Sequence, residues 1–390
     1  MDSPAGCVTL RAIRKTAELD RVNWLMRFLG LRSALIVAGV AAVAAVPTAM
    51  VLGTKPVNST TTLRPSAVEQ GWDFDDRRAQ LASRALAVAT PTPAASPAAA
   101  ARFGAATATH PAPPPAQPAG AVPAFAHVFV IVLENHEYGS VIGNPAAPFI
   151  NTLAVNNGLA TNYYGASHPS LPNYLALTAG STFGIASDCT TCYVSASNIA
   201  DQLEASGRSW KAYMEDMPTP CFMGTSSGNY AMKHNPFMYY IDIRNNPARC
   251  AAHVVPFTQF GGDMSAGPVP NFVWITPDMC NDTHDCGLAA GDAWLRSVVP
   301  TITGSAAFRN GGALFITWDE GSTSAGCCSD SWGGHVATLI ISPRTISGFR
   351  SGIAENHYGL LRTIEDGFRL GHLGAAGWSS NPALGEYFRN

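Results

Sequence analysis

Val128-Phe129-Val130-Ile131-Val132-Leu133 is a continuous apolar run, rich in β-branched residues, that passes directly into Glu134-Asn135-His136-Glu137-Tyr138-Gly139. A strand with one wet face alternates apolar and polar residues. A strand without alternation is buried on both faces, as in a parallel sheet covered by helices. Phe272–Thr276, Ala313–Thr317 and Val336–Ser342 have the same character. The stretches Pro148–Asn156, Leu171–Thr178, Ile199–Ser206 and Ala289–Val299 lie between these strands and read as helices, and Tyr358–Leu370 follows the last. Buried strands alternating with helices predict an α/β fold with a mostly parallel central sheet and helices on both faces. Pro218–Asn229 and Gly261–Pro270 read as irregular insertions or binding loops, and no internal repeat is apparent.

Toward the N-terminus the character changes. Residues 33–53 are uncharged, rich in Ala, Val, Leu and Ile, and long enough to cross a hydrocarbon core as a helix. Residues 1–32 ahead of them are basic, through Arg11, Arg14, Lys15, Arg21, Arg27 and Arg32. Positive flanks stay in the cytoplasm, so the remainder is expected outside it. It is either held by a single-pass membrane anchor or released if the segment is a cleaved signal. Residues 54–124 turn irregular and then almost wholly Ala, Pro, Thr and Ser, a composition that cannot bury enough apolar area to order itself. They predict a disordered linker leading to a catalytic domain over residues 125–390.

Cysteine usage agrees with export. Cys7 lies before the apolar run, and Cys189, Cys192, Cys221, Cys250, Cys280, Cys286, Cys327 and Cys328 all lie after it. An even number in an oxidising compartment reads as disulfides, with local pairings 189 with 192, 221 with 250 and 280 with 286 the plausible ones. The formal net charge of -3 includes the basic N-terminus, which argues against a nucleic-acid binder needing a cationic face. Nothing in the sequence calls for an obligate protein partner.

Ligands of open α/β sheets sit beyond the carboxyl ends of the strands. Three strands here end in reactive residues. The first runs into Glu134-Asn135, the second into Pro277-Asp278 and then Asn281-Asp282-Thr283-His284-Asp285, and the third into Asp319-Glu320. Carboxylate and amide oxygens are hard donors that suit one or more divalent ions such as Mg²⁺, Ca²⁺ or Mn²⁺, with Zn²⁺ also open. Ser170, just ahead of Leu171-Pro172, falls at a helix start, where a cap and a nucleophile facing a phosphate are both accommodated. His234, His284 and His335 are the candidate proton carriers for a phosphate ester.

Glu134-Asn135, Ser167–Tyr174, Lys233–Phe237, Asn281-Asp282-x-His284-Asp285, and Asp319-Glu320 followed by Gly333-Gly334-His335-Val336 occur in this order. By these motifs the chain from Phe125 to about Leu370 resembles the phosphoesterase family of acid phosphatases and bacterial phospholipases C, whose core is similar to that of the alkaline phosphatase superfamily. The resemblance implies a metal held by Glu134, Asn135, Asp319, Glu320 and Ser170 Oγ, with Asp282 orienting His284 or binding metal itself. It implies that Ser170 attacks phosphorus to form a phosphoserine, while His234, His284 and His335 grip the phosphoryl oxygens or protonate the leaving group.

His136-Glu137-Tyr138-Gly139 stands where the phospholipases typically carry Arg-Ser-Phe-Asp, and Ser322–Trp332, with adjacent Cys327 and Cys328, is inserted before His335. These departures favour a phosphatase acting on monoesters. A phospholipase C or other phosphodiesterase is the alternative, with Tyr163, Tyr164, Phe237, Tyr239 and Tyr240 as an apolar groove. A catalytically inactive surface binding domain is the alternative of another class, and the intact set Asn135, Ser170, Asp319 and Glu320 speaks against it.

Overall fold

The structure, a computed structural model, describes residues 120–389. The basic N-terminus, the apolar run at 33–53 and the Ala/Pro-rich stretch through residue 119 lie outside the described residues. Among the described residues no helix is long and apolar enough to cross a membrane.

Among the described residues eleven strands form in chain order: β1 His127–Leu133, β2 Gly158–Tyr164, β3 Trp210–Met214, β4 Ser226–Ser227, β5 Tyr230–Ala231, β6 Val254–Pro256, β7 Phe272–Thr276, β8 Gly312–Trp318, β9 His335–Ile341, β10 Arg350–Ser351 and β11 Glu355–Asn356. Nine of them make one sheet ordered β10-β2-β9-β8-β1-β7-β3-β6, with β11 beside β2, and β4 and β5 form a separate hairpin. The predicted α/β class holds, because β1 runs parallel to both neighbours, pairing Val130 with Trp274 of β7 and with Phe315 of β8. Every residue of β7 and β8, and every residue of β1 after His127, is buried. Successive side chains point to opposite faces, so the core covers the sheet on both sides.

The strand predicted at Val336–Ser342 forms as β9 but runs antiparallel to β8 and to β2. Residues 319–334 return the chain through turns with no crossover helix, and β9 pairs back along β8 as an antiparallel partner. Gly261–Pro270, expected as a loop, instead contributes most of the helix Phe260–Ala266. Its glycines disfavour helix, but Asp263 is tied to β3 by Lys211 at 2.7 Å and by the Tyr213 hydroxyl at 2.8 Å. The tertiary contacts override local propensity there.

The four longest helices among the described residues are α1 Pro148–Asn156, α2 Ser170–Ala179, α3 Leu288–Thr303 and α4 His357–Phe368. α2 packs on α4 and α1 on α3. The cysteines pair as 189–192, 221–250, 280–286 and 327–328. Tyr163, Phe237, Tyr239 and Tyr240 are wholly buried in the core. They therefore do not line the apolar groove that a lipid substrate would need.

Candidate active site

Because β1, β7 and β8 are mutually parallel, their carboxyl ends emerge at one edge of the sheet. Backbone bonds draw the three exits together: Glu134 N–H donates to Asp282 O at 2.8 Å and Asp319 N–H to Leu133 O at 2.8 Å. Thr283 Oγ1 adds a bond to Glu134 O at 2.8 Å. Asn135 has a φ of 61°, a left-handed conformation that asparagine tolerates better than most residues. In it the Asn135 N–H reaches Asp319 Oδ1 at 3.1 Å.

Ser170 opens α2, and the residue before it, Pro169, supplies no side-chain cap. Ser170 Oγ donates to Glu134 Oε2 at 3.0 Å. The next amide, Leu171 N–H, is taken by Asp188 Oδ1 at 3.0 Å. Asp188 thus serves the helix start, and the serine hydroxyl is directed at the acidic cluster. One turn along, the Tyr174 hydroxyl donates to Glu134 Oε1. Asn173 folds the preceding loop onto the helix, accepting from Ala166 N–H at 2.8 Å and Ser167 N–H at 2.9 Å.

The histidines divide. His234 is buried between two acids, with Nδ1 3.1 Å from Asp282 Oδ2 and Nε2 3.3 Å from Glu134 Oε1. The second approach is close but not aligned as a hydrogen bond, and Nε2 has no other partner. His284 donates its backbone N–H to Asp282 Oδ1 at 2.8 Å, and its ring lies between Asp285 Oδ1 at 2.7 Å and Lys233 Nζ at 3.2 Å. His335 sits at the same sheet edge, but its ring stacks on Tyr138 at 4.6 Å and its Nε2 lies 3.0 Å from Thr161 O. Its ring partners are thus separate from the acids that engage His234 and His284.

Glu320 is paired with His168, whose Nε2 lies 2.9 Å from Thr323 O. A carboxylate and a carbonyl both only accept, so both ring nitrogens of His168 carry hydrogen. The hydrogen bond to Glu320 raises the His168 pKa accordingly. Tyr174, Asp188 and His168 were not singled out by the sequence. Tyr174 stands four positions beyond Ser170, the helical spacing that puts two side chains on one face, and that was the available signal.

Glu134, Asp282 and Asp319 are wholly buried together. Burial pushes Glu134 well above the usual carboxylate range, and the neighbouring charges of Asp319 and Asp282 add to it. Burial likewise pushes Asp282 up to about 9, and pushes up Asp319, reinforced by Glu320. His234 is pushed down by burial, then by the charges of Lys233 and His284. Asp319 Oδ2 has no hydrogen-bond partner. Crowded buried acids with an orphaned oxygen are a donor set that a divalent cation satisfies. Glu134, His234 and Asp282 can each direct one donor atom to a common point, all within 4.8 Å of one another.

Residues 144–371 match the family described as Phosphoesterase family. A phosphatidylinositol-3-phosphatase of Mycobacterium tuberculosis is 35% identical over 263 residues, spanning 66% of this chain and 82% of that protein. An acid phosphatase of Aspergillus fumigatus is 29% identical over 262 residues, covering 64% of this chain but only 56% of the fungal protein. Among solved structures, a protein in the alkaline phosphatase superfamily from Vibrio parahaemolyticus aligns with a TM-score of 0.45 and 13% identity, over 64% of this chain and 68% of that one.

Proposed function

This chain belongs to the phosphoesterase family and hydrolyses phosphoric esters, and we propose that it is a metal-dependent phosphatase whose nucleophile is Ser170 and whose substrates are monoesters. The observation that carries this reading is the 3.0 Å bond from Ser170 Oγ to Glu134, made in place of a helix cap, inside a cluster of buried acids. Both relatives described above are named phosphatases, which favours a monoester over a diester.

Glu134, Asp282, Asp319 and His234 would hold the divalent ion, with Asn135 and Glu320 flanking them. A bound ion supplies positive charge that lowers the pKa of a nearby hydroxyl and offsets the charge of a phosphoryl group. The chain's own residues do the rest. Glu134 fixes the Ser170 hydroxyl and accepts its hydrogen, while Tyr174 holds the other carboxylate oxygen still. Ser170 Oγ bonds to phosphorus as the ester oxygen leaves, giving a phosphoserine and an alcohol. Water then cleaves the phosphoserine, returning the serine and releasing phosphate. His168, half-exposed and protonated between Glu320 and Thr323 O, adds positive charge beside Glu320, and solvent can supply the proton that the leaving oxygen takes up.

The same reading sets the domain outside the cytoplasm, tethered or released according to the fate of residues 33–53. The four cystine pairs support it, since such bonds persist in oxidising compartments. Ser170→Ala tests the nucleophile directly. Turnover of p-nitrophenyl phosphate should vanish while the circular dichroism spectrum stays unchanged, and a folded variant with wild-type turnover would refute the assignment.

A further inference from the structure

The acids Glu134, Asp282 and Asp319 form the floor of the site, and three charged or polar residues rim it. Side-chain exposure is 22% for Lys233, 26% for Asp188 and 24% for His284, against none for Glu134 and Asp282. A substrate arriving from solvent meets this rim before it meets the floor.

Lys233 Nζ donates to Asp188 Oδ2 at 3.0 Å and lies 3.2 Å from His284 Nε2. An ammonium has only donors, so Nε2 is the acceptor and the ring hydrogen sits on Nδ1, pointing to Asp285 Oδ1 at 2.7 Å. The other oxygen of Asp188 takes the Leu171 N–H at 3.0 Å, the first amide after Ser170. A single carboxylate therefore links the ammonium to the helix start that bears the hydroxyl. The charge of Lys233 acts on both Glu134 and Asp319. Lys211 of β3, the other lysine of residues 120–389, is engaged with Asp263. Lys233 is a compact point charge on a flexible stem, able to turn from His284 toward an incoming oxygen while Asp188 keeps it at the rim.

We propose that Lys233 binds a non-bridging phosphoryl oxygen beside Ser170 and selects the dianion of a phosphate monoester over the monoanion of a diester. This rests on the phosphoryl-transfer reading of Ser170. The floor is crowded with acids, so each extra negative charge on the substrate needs its own positive partner. A monoester carries about −1.5 to −2 at pH 7, compared with a single charge on a diester. The cation at the rim meets that additional charge.

The test compares Lys233→Met and Lys233→Arg with the unaltered enzyme at pH 7, loaded with divalent metal. The readout is kcat/KM on p-nitrophenyl phosphate and on bis-p-nitrophenyl phosphate. Loss of one charge-assisted contact to a reacting phosphoryl group should lower the monoester value about 100-fold. The diester value should change several-fold at most, and Lys233→Arg should retain most of the preference. Lys233→Gln keeps a donor for Asp188 without the charge, and replaces the methionine variant if that fails to fold. A parallel fall in both substrates, or no fall in either, would overturn the selective role of Lys233 and leave the Ser170 reading standing. An unaltered enzyme that cleaves neither ester would instead sink that underlying reading.

Discussion

Ser170 Oγ donates its hydrogen to Glu134 Oε2 at 3.0 Å, joining two residues 36 positions apart. One belongs to the exit of β1 and the other to the start of α2. The bond exists because β1 delivers Glu134 at the sheet edge and Asn173 pins the loop before α2 above it. Neither residue can adjust alone, since Glu134 also receives the Tyr174 hydroxyl and lies against His234. The hydroxyl is held in place before any substrate arrives, which is the condition for rapid attack.

Glu134→Gln keeps the shape of the side chain and removes its charge. The cluster then loses a donor for the cation, and kcat/KM for p-nitrophenyl phosphate should fall about 100-fold. In the presence of EDTA the same change relieves repulsion from Asp319 and Asp282, so the melting temperature should rise relative to the unaltered chelated protein. A variant that loses stability under chelation and keeps its activity would remove Glu134 from the cluster chemistry.

Chelation of the unaltered enzyme should abolish activity and lower the melting temperature together. A ligand that binds only the folded state stabilises it by about 2.7 kcal/mol at a hundred times its Kd. Activity and melting temperature should both return on adding back one of Mg²⁺, Mn²⁺, Ca²⁺ or Zn²⁺. A rate untouched by exhaustive chelation would take the cation out of the account.

Glu365, on α4 and apart from the acidic cluster, is buried with only one oxygen served, Oε1 accepting Leu373 N–H at 2.8 Å. Burial pushes its pKa up to about 8. The unfolded chain releases this proton near pH ~4.3, so between that pH and about 8 the folded state binds more proton than the unfolded one. Its stabilising contribution is complete below pH ~4.3 and is lost as pH rises through about 8, with a slope of up to about 1.4 kcal/mol per pH unit. Glu365→Gln should flatten urea-unfolding stability across this window. An unchanged slope would mean that Glu365 ionises in the folded protein as it does in the unfolded chain.

The strands that matter most were legible because they are buried on both faces. Val128–Leu133, Phe272–Thr276 and Ala313–Thr317 leave no room for polar alternation, and they became β1, β7 and β8. β2 and β3 were missed because Thr161 and Asn162 in one, and Lys211 in the other, interrupt the apolar signal. The acids at the three strand ends followed from parallel strands sharing one edge. At Ser170 the sequence accommodates a cap and a nucleophile equally, and the resemblance favours the nucleophile; in the fold the first-turn amide is served by Asp188. Asp188 sits in an irregular loop, 17 positions from the amide it binds, and nothing local announces such a partner. His234 was read as a proton carrier, and its place between Glu134 and Asp282 depends on chain crossings that spacing does not encode.

The most direct measurement is mass spectrometry of the peptide containing Ser170, after acid quench of the metal-loaded enzyme during steady turnover of p-nitrophenyl phosphate. A phosphate adduct on Ser170 that appears within a turnover and is absent when substrate is omitted is the predicted result. An unmodified Ser170 throughout turnover, with phosphate on another residue of the chain, would contradict the account.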